Sequence, residues 1–425
     1  MSDTGLASSI DAIWRIESAK VIATLTRKTG DVAVAEDLAQ EALLAALEQW
    51  PKEGVPQNPG GWLVRVGLRR GIDQWRRAER FAAREGEIAR DLEARQDAGP
   101  AELDARLDDP IGDDLLGLIF LTCHPVLSTE ARVALTLRLL GGLATPEIAR
   151  AFLVPEPTLA QRIVRAKRTL AEARVPFEVP RGEALEERLP SVLEVVYLIF
   201  NEGYSATAGE DLIRPTLCEE ALRLGRILAG LAPAEPEVHG LVALMALQAS
   251  RLKARVGPGG APVLLMDQDR SRWDHFLVQH GLTALDRAVT LGAPLGPYTL
   301  QAAIAACHAR ARTPDETDWP RIAALYDALA QVAPSPVVEL NQAVAIGMAF
   351  GPEAGLRAVD ELLEERTLRA YHLLPAVRGD LLQRLGRREE ARAEFERAAS
   401  LTQNLQERKL LLERAAAAKG EGAPG

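Results

Sequence analysis

The chain has 425 residues, enough for about three domains of ordinary size that each bury a core. Its formal net charge of -10 excludes a protein that coats nucleic acid along its whole length. Aromatic residues make up only 4% and β-branched runs bounded by turns are rare, so the composition predicts an all-α protein. The sequence shows neither a secretory signal nor a stretch of about 20 apolar residues. We therefore expect a cytoplasmic protein without a membrane partner.

The three cysteines, Cys123, Cys218 and Cys307, are far apart in the sequence and odd in number. This pattern favours reduced, buried thiols over a disulfide framework. No CxxC, HExxH or phosphate-loop pattern occurs. The sequence therefore predicts no catalytic residue, no metal site and no cofactor.

Residues 10–50 predict two helices, of which the first ends at Thr29 and Gly30 and the second follows Asp31 as its cap. The positions expected to face a core on the second helix are Leu38, Ala42, Ala45 and Leu47. The outward positions are Asp37, Gln40, Glu41 and Glu48. Taken alone, such an acidic face is explained most simply as a solvated surface.

Residues 51–61 are rich in proline and glycine and predict a loop, which leads into a helix from Trp62 to about Arg80 with six arginines. The apolar stripe of that helix is Val64, Leu68, Ile72 and Trp75, and its basic side is Arg65, Arg69, Arg76 and Arg80. A basic helix with tryptophans near its ends suits phosphate contacts and base stacking. Core packing explains Trp75 at least as well.

An acidic segment follows this basic helix. Residues 81–114 contain eleven acids and four arginines with little apolar periodicity, and we place a linker at 81–112. Beyond it, Ser128 is expected to cap a helix from Thr129 to Leu140.

Residues 141–170 have the pattern of a helix-turn-helix. Thr145 can cap a first helix, residues 154–157 break it, and a second helix begins near Pro157. The expected buried stripe of the second helix is Leu159, Ile163, Ala166 and Leu170. Its other side carries Gln161, Arg165 and Arg168, with Arg162 and Lys167 beside them. Amide and guanidinium groups suit base edges and phosphates, although an ordinary amphipathic helix pair would show the same pattern.

Residues 185–420 predict a series of amphipathic helices. Breaks are expected at 201–210, 232–237, 257–262, 292–297, 313–320 and 334–336. The spacing of Gly379, Ala391, Phe395 and Ala398 matches a tetratricopeptide repeat, in which small residues let two helices approach. A weaker copy of this repeat spans 343–359.

Residues 266–274, MDQDRSRWD, form the densest polar cluster of this half. The cluster lacks the glycine that a calcium loop needs. The simplest explanation is a local network that caps a helix or ties two helices together. The alternative is a regulatory or interdomain contact, or a ligand site, through Asp267, Asp269, Arg270 and Trp273.

The order of these parts resembles the extracytoplasmic-function (ECF) group of the sigma-70 family of RNA polymerase sigma factors. The motifs that carry the resemblance, within about residues 10–173, are AEDLAQEALLAALEQW, PQNPGGWL, RVGLRRGIDQWRR and the helix-turn-helix after the acidic linker. FNEGYSA and DQDRSRW are similar to segments of the long C-terminal extension found in one subgroup. The resemblance implies region 2 at 1–80, the linker at 81–112, region 4 at 113–175 and a tetratricopeptide-like helical domain at 185–420.

The resemblance also implies a function, that of a non-enzymatic subunit that binds core RNA polymerase and directs promoter-specific initiation. Contacts with the clamp helices of the largest polymerase subunit would come from Asp37, Gln40 and Glu41, and the flap of the second-largest subunit would be a further partner. Contacts with the promoter -10 element would come from Asn58, Trp62, Arg65, Arg69, Arg70, Arg76 and Arg77. Contacts with the -35 element would come from Thr158, Gln161, Arg162, Arg165 and Arg168. The acidic linker would pass through polymerase toward the RNA exit path.

We expect the C-terminal extension to control when the two sigma domains open onto polymerase, whereas the identity of any ligand or protein partner of its own stays open. Two other classes are compatible with parts of the sequence. One is a DNA-binding regulator with a ligand-sensing helical domain. The other is a helical enzyme that would act through Asp267 or Asp269.

Overall fold

The structure, a computed structural model, describes residues 3–82, 111–152, 154–206, 208–209, 212–292 and 294–418. The chain divides into two compact units, Met1–Val195 and Val196–Gly425. Within the described residues both units are built from helices, apart from one pair of two-residue strands, and the all-α fold class is confirmed. Apart from its first two and last two residues, which are helical, the predicted linker at 81–112 lies outside the described residues.

The first unit contains two groups of helices. The first group is α1 (Asp3–Thr29), α2 (Val32–Glu53) and α3 (Pro59–Ala82), which pack against one another. The second group is α4 (Ile111–Thr122), α5 (Thr129–Leu139), α6 (Thr145–Ala151) and α7 (Glu156–Glu172). Helix α8 (Glu183–Tyr204) begins in the first unit and crosses the boundary between the units.

The caps of α2 and α5 are the predicted ones. Asp31 accepts hydrogen bonds from the N–H groups of Ala33 (2.7 Å) and Val34, and Ser128 accepts one from Ala131. The predicted loop at 51–61 is shorter than expected. Helix α2 continues to Glu53, and α3 begins at Pro59, because proline suits a first helical position.

The second unit is a series of helices, most of which contact the next helix along the chain. Its described helices beyond α8 are α9 (Pro215–Leu231), α10 (Pro236–Ala249), α11 (Leu252–Arg255), α12 (His275–Thr290), α13 (Pro297–Arg310), α14 (Trp319–Val332), α15 (Pro336–Phe350), α16 (Pro352–Asp360), α17 (Leu373–Arg384), α18 (Arg388–Leu401) and α19 (Leu405–Ala418). Short 3-10 turns lie at Pro258–Gly260, Leu265–Asp267, Arg270–Arg272, Pro314–Glu316 and Arg366–Leu368. Strands β1 (Ala208–Gly209) and β2 (Gln403–Asn404) pair in parallel.

Most predicted breaks fall between helices of this unit, with two differences. The break expected at 201–210 begins later, because α8 continues to Tyr204. The break expected at 257–262 extends from 256 to 274, where 3-10 turns replace a helix. A further interruption at 361–372 has no proline or glycine and could not be read from turn residues.

Close helix pairs occur at the positions that match the tetratricopeptide pattern. A Cβ on Gly379 of α17 would lie 2.8 Å from the ring of Phe395 on α18, so only glycine allows this approach. Phe395 is fully buried between the two helices. In the weaker copy, a Cβ on Gly355 of α16 would lie 2.7 Å from the Cα of Gly347 on α15. The assignment of these pairs as tetratricopeptide repeats stays a prediction.

Three chemical expectations concern the whole chain. Cys123, Cys218 and Cys307 are free thiols and all are buried, as predicted. None of the described helices combines the length and the apolar character that a membrane crossing requires. In the described residues no three side chains of the types that ligate metals come together.

Candidate nucleic-acid interface

Helix α7 packs in the first unit through a single apolar stripe. Leu159, Ile163, Ala166 and Leu170 are its buried residues, which confirms the stripe predicted from spacings of four, three and four. Helices α5 and α6 both contact α7. The predicted helix-turn-helix is therefore formed by α6 and α7, and the side of α7 opposite the stripe is exposed at 158, 161, 165 and 168.

The exposed side of α7 carries the residues predicted to meet the -35 element. Thr158, Gln161, Arg165 and Arg168 are exposed and Arg162 is half-buried. The Nε of Arg168 lies 3.0 Å from Oε1 of Glu172, one turn further along the helix. Three guanidinium groups and an amide thus share one helix face, as base readout in a major groove requires.

The first helix of the motif begins differently from the prediction. Helix α6 starts at Thr145, and the residue before it, Ala144, takes the cap position. The carboxylate of Glu147 accepts a hydrogen bond from the N–H of Ala144 at 2.7 Å. Glu147 therefore supplies the side-chain half of a capping box, and Thr145 is not the cap.

Helix α2 presents the residues predicted to bind polymerase. Asp37 is exposed, and Gln40 and Glu41 are half-buried at the following turn. Leu47, predicted to face the core, is 44% exposed, so that expectation is wrong. The apolar stripe through 38, 42 and 45 continues to Ala46 and Trp50, because position 47 lies off its helical period.

Helix α3 brings some of the residues predicted for the -10 element to the surface. Arg65 and Arg69 are exposed and Arg70 is half-buried. The side chain of Asn58 accepts a hydrogen bond from the N–H of Gly61 at 2.9 Å and so caps α3. Trp62 is half-buried, with its ring edge-on to Trp50 at 5.3 Å. The side chains of Arg76, Arg77 and Trp75 lie outside the described residues.

Two buried acids join the first group of helices to the second. Glu36 of α2 accepts from Arg138 of α5 at 2.8 Å and forms an ion pair with Lys167 of α7. Asp114 of α4 lies 2.7 Å from the Nε of Arg27 and accepts from the hydroxyl of Thr24 at 3.2 Å. Only 7% of the Glu36 side chain and 4% of the Asp114 side chain are exposed.

These two acids were missed from sequence, although Glu36 gave a signal. Glu36 follows Ala35 on the buried side of α2, where a charged residue needs a partner. The partner could not be identified, because Lys167 and Arg138 are more than 100 positions away. Lys167 belongs to the same helix as the candidate -35 residues, so this ion pair joins α2 directly to α7.

The first half of α8 belongs structurally to the first unit. Arg188 donates to the carbonyl of Phe120 at 2.6 Å and stacks over its ring, and Ser191 donates to the carbonyl of Cys123 at 2.6 Å. The Nη1 of Arg132 lies 3.2 Å from Oε2 of Glu194. The helical extension therefore begins as part of the fold that holds α4 and α5.

The DQDRSRW cluster in the second unit has a structural role in large part. Asp269 accepts from the N–H and the hydroxyl of Ser271, which caps a 3-10 turn. Arg270 donates to two backbone carbonyls near the end of α13. Trp273 is buried and Asp267 is exposed. A network that ties elements together is present, and a regulatory or ligand contact stays a prediction.

Comparison with known proteins agrees with this architecture. Sigma-70 region 2 matches residues 15–81, Sigma-70 region 4 matches residues 117–170, and a family of unknown function (DUF6596) matches residues 188–289. An uncharacterized protein of Rhizobium meliloti is 45% identical over 409 residues, which cover 96% of this chain and 94% of that protein. The probable ECF RNA polymerase sigma factor SigI of Mycobacterium tuberculosis is 29% identical over 170 residues, 40% of this chain and 57% of SigI.

The matches to Sigma-70 region 2 and region 4 in one chain define a transcription initiation factor. The chain belongs to the sigma-70 family of RNA polymerase sigma factors, in the ECF group, and carries a long helical C-terminal extension. It binds core RNA polymerase and promoter DNA and directs promoter-specific initiation. Sigma factors are initiation factors, so the prediction that the chain is not an enzyme is confirmed.

Proposed function

We propose that regions 2 and 4 divide promoter recognition between α3 and α7. The side of α7 that carries Thr158, Gln161, Arg162, Arg165 and Arg168 enters the major groove of the -35 element. The observation that supports this most strongly is the buried stripe of α7, which leaves those side chains as its accessible polar face. Helix α3 with its arginines, and Asn58 and Trp62 at its start, takes the -10 element.

We also propose that α2 contacts polymerase through Asp37, Gln40 and Glu41, on the clamp helices of the largest subunit. Glu48 is exposed on the same helix, so the acidic face extends beyond these three residues. A basic partner surface would complement it. Region 4 would contact the flap of the second-largest subunit. Core polymerase and the chromosome lie in the cytoplasm, so the protein acts there.

The contact between α2 and α7 represents a resting arrangement. The two promoter elements are centred about 25 base pairs apart by their names, which is roughly 85 Å along DNA. Helix α3 has 24 residues, about 36 Å, and packs on α1 and α2, while Lys167 of α7 pairs with Glu36 of α2. The two reading helices are therefore too close to hold both elements at once. Promoter binding requires the Glu36 and Asp114 contacts to open.

The C-terminal extension, in this proposal, controls that opening. It is part of the same chain, and stacked helix pairs are common binding scaffolds. The test is transcription in vitro with core polymerase and two truncated proteins, one ending after Tyr204 and one ending after residue 180. The first keeps the α8 residues that support α4 and α5, and the second removes them.

Altered promoter-dependent transcript yield from the chain that ends after Tyr204 supports control by the extension. Unchanged yield at every promoter contradicts it. The chain that ends after residue 180 is the comparison that reveals simple loss of the region 4 fold, because it loses the buried Leu189, Val192 and Leu193.

A further inference from the structure

Three arginines of the second unit lie along two aromatic rings. The Cζ of Arg255 is 3.8 Å from the ring centroid of Tyr204, and that of Arg251 is 5.8 Å from it. Arg251 and Arg270 share the ring of Trp273, at 5.7 and 4.9 Å. Among the described residues, no carboxylate lies within 4.0 Å of any of these three guanidinium groups. We call this set the arginine line.

Two of the three guanidinium groups are fixed by the protein. Arg251 donates to the hydroxyl of Tyr204 at 2.7 Å, and Arg270 donates to the carbonyls of His308 and Ala311, both at 2.6 Å. Neutral acceptors orient these cations without cancelling their charge. Such an arrangement is pre-organised for an anion, because these side chains are already ordered before the anion binds.

The remaining donors of the arginine line lack acceptors. The Nε atoms of Arg255 and Arg270 and the indole Nε1 of Trp273 are buried and have no hydrogen-bond partner in the described structure. Only 5% of Trp273 is exposed. Buried donors without acceptors cost stability unless another group satisfies them. Three such donors along the arginine line indicate that an acceptor from outside the described protein would satisfy them.

The electrostatics of the arginine line also favour an anion. Burial lowers the pKa of Arg251, and the positive charge of Arg255 lowers it further. Burial also lowers the pKa of His308 to about 4, with contributions from Arg251 and Arg270. Glu316 acts on Arg270 only at longer range. Glu407 interacts with Arg255 in the same way, so these two carboxylates offset only part of the positive potential of the three guanidinium groups.

All five tyrosines of the chain belong to this unit, at positions 197, 204, 298, 326 and 371. Each keeps some contact with solvent and none is fully buried. The rings of Tyr197 and Tyr298 are 5.6 Å apart, and Tyr197 also acts electrostatically on Tyr204, Tyr326 and Tyr371. Tyr197 therefore lies near both Tyr204, whose ring carries Arg251 and Arg255, and the other tyrosines.

We propose that the second unit binds a small oxyanion-bearing ligand, a carboxylate or phosphate compound, at Arg251, Arg255 and Arg270, with the tyrosines against its less polar part. Guanidinium groups bind carboxylates and phosphates through paired, charge-assisted hydrogen bonds. Tyrosine, tryptophan and arginine also dominate the energetics of binding sites. The proposal does not depend on whether the extension controls transcription.

The test uses the full-length protein in titration calorimetry and thermal unfolding, with citrate and inorganic phosphate as separate probes and hexaglutamate as a third. Saturable 1:1 binding of citrate or phosphate at concentrations up to about 10 mM supports the proposal, and the probe that binds identifies the chemistry. A bound probe at 100 times its Kd should raise the unfolding temperature by roughly 5–10 °C. Binding of hexaglutamate alone would overturn the proposal in favour of an acidic peptide, and no binding by any probe would overturn it as well.

Two variants locate the site. Arg255→Gln is expected to weaken probe binding at least about tenfold, because it removes one charge-assisted contact. Arg272→Gln is the matched control, since Arg272 is exposed in the neighbouring 3-10 turn and should leave binding unchanged. The guanidinium of Arg255 makes no hydrogen bond to the described protein and stacks on the ring of Tyr204, so Arg255→Gln should lower the unfolding temperature without probe by only about 1–4 °C. A lower unfolding temperature with unchanged probe binding would show that the arginine line only packs helices.

Discussion

Replacement of Glu36 by glutamine is expected to release region 4 from region 2. The Glu36 carboxylate is 7% exposed and holds two cations at once, Arg138 at 2.8 Å and Lys167. Glutamine keeps the size of the side chain and removes its charge. Arg138 and Lys167 would then remain close together without a counter-charge.

The magnitude follows from the burial of the three partners. Removal of one member of a fully buried ion pair costs about 3–5 kcal/mol. Arg138 and Lys167 keep 25% and 15% of their side chains in contact with solvent, so water screens part of the loss. We expect the closed arrangement to lose about 2–4 kcal/mol, which shifts its equilibrium with the open form by roughly 30-fold to 1000-fold.

The assay is fluorescence anisotropy of a labelled duplex with the -35 element, without polymerase. Glu36→Gln should bind the duplex more tightly than the wild-type protein, because more of the protein is open and Lys167 is free to reach DNA. Glu48→Gln is the control, since Glu48 is exposed on the same helix. The reasoning is refuted if Glu36→Gln lowers the unfolding temperature of the first unit and leaves duplex affinity unchanged.

Three further outcomes are expected. Arg165→Ala should weaken binding to one -35 sequence by about 1–3 kcal/mol. The side chain of Arg168 pairs with Glu172, and Arg168→Ala should weaken binding equally on all sequences. Anisotropy with a panel of duplexes separates the base contact from the phosphate contact. Phe395→Ala should lower the free energy of unfolding by about 3–5 kcal/mol in urea titrations, because the Phe395 ring fills the space beside Gly379. An unchanged free energy of unfolding would mean that α17 and α18 are not packed in this way. His308 has its ordinary pKa of 6.5 in the unfolded chain, whereas burial lowers its pKa to about 4 in the folded protein. The free energy of unfolding should therefore fall by about 2–3 kcal/mol as the pH drops from 6.5 to about 4. His308→Gln should abolish this part of the pH dependence.

Features set by local periodicity were predictable from the sequence. The buried stripe of α7 and the caps at Asp31 and Ser128 follow from spacing and from the hydrogen-bonding capacity of short polar side chains. The errors were local as well. Leu47 lies off the helical period of the buried stripe, and the cap of α6 lies one residue before the predicted one, because a periodic pattern does not fix a helix boundary.

Long-range partners could not be predicted in the same way. The pairing of Glu36 with Arg138 and Lys167 joins residues that no periodic pattern relates. The arginine line is similar, since Tyr204 and Arg251 are 47 positions apart and Arg270 reaches backbone carbonyls that any sequence provides. Only the family resemblance related the separate motifs to one function, and the contacts of the individual residues with polymerase and promoter stay predictions.

Transcription in vitro tests the central claim most directly. Core RNA polymerase is combined with this protein and a genomic library of linear DNA, and the 5′ ends of the transcripts are mapped. We predict initiation at a discrete set of sites that share a -35 and a -10 sequence and that are lost when Asp37, Gln40 and Glu41 are replaced together by alanine. Initiation at the same positions with core polymerase alone, or no initiation despite binding to core, would contradict the account.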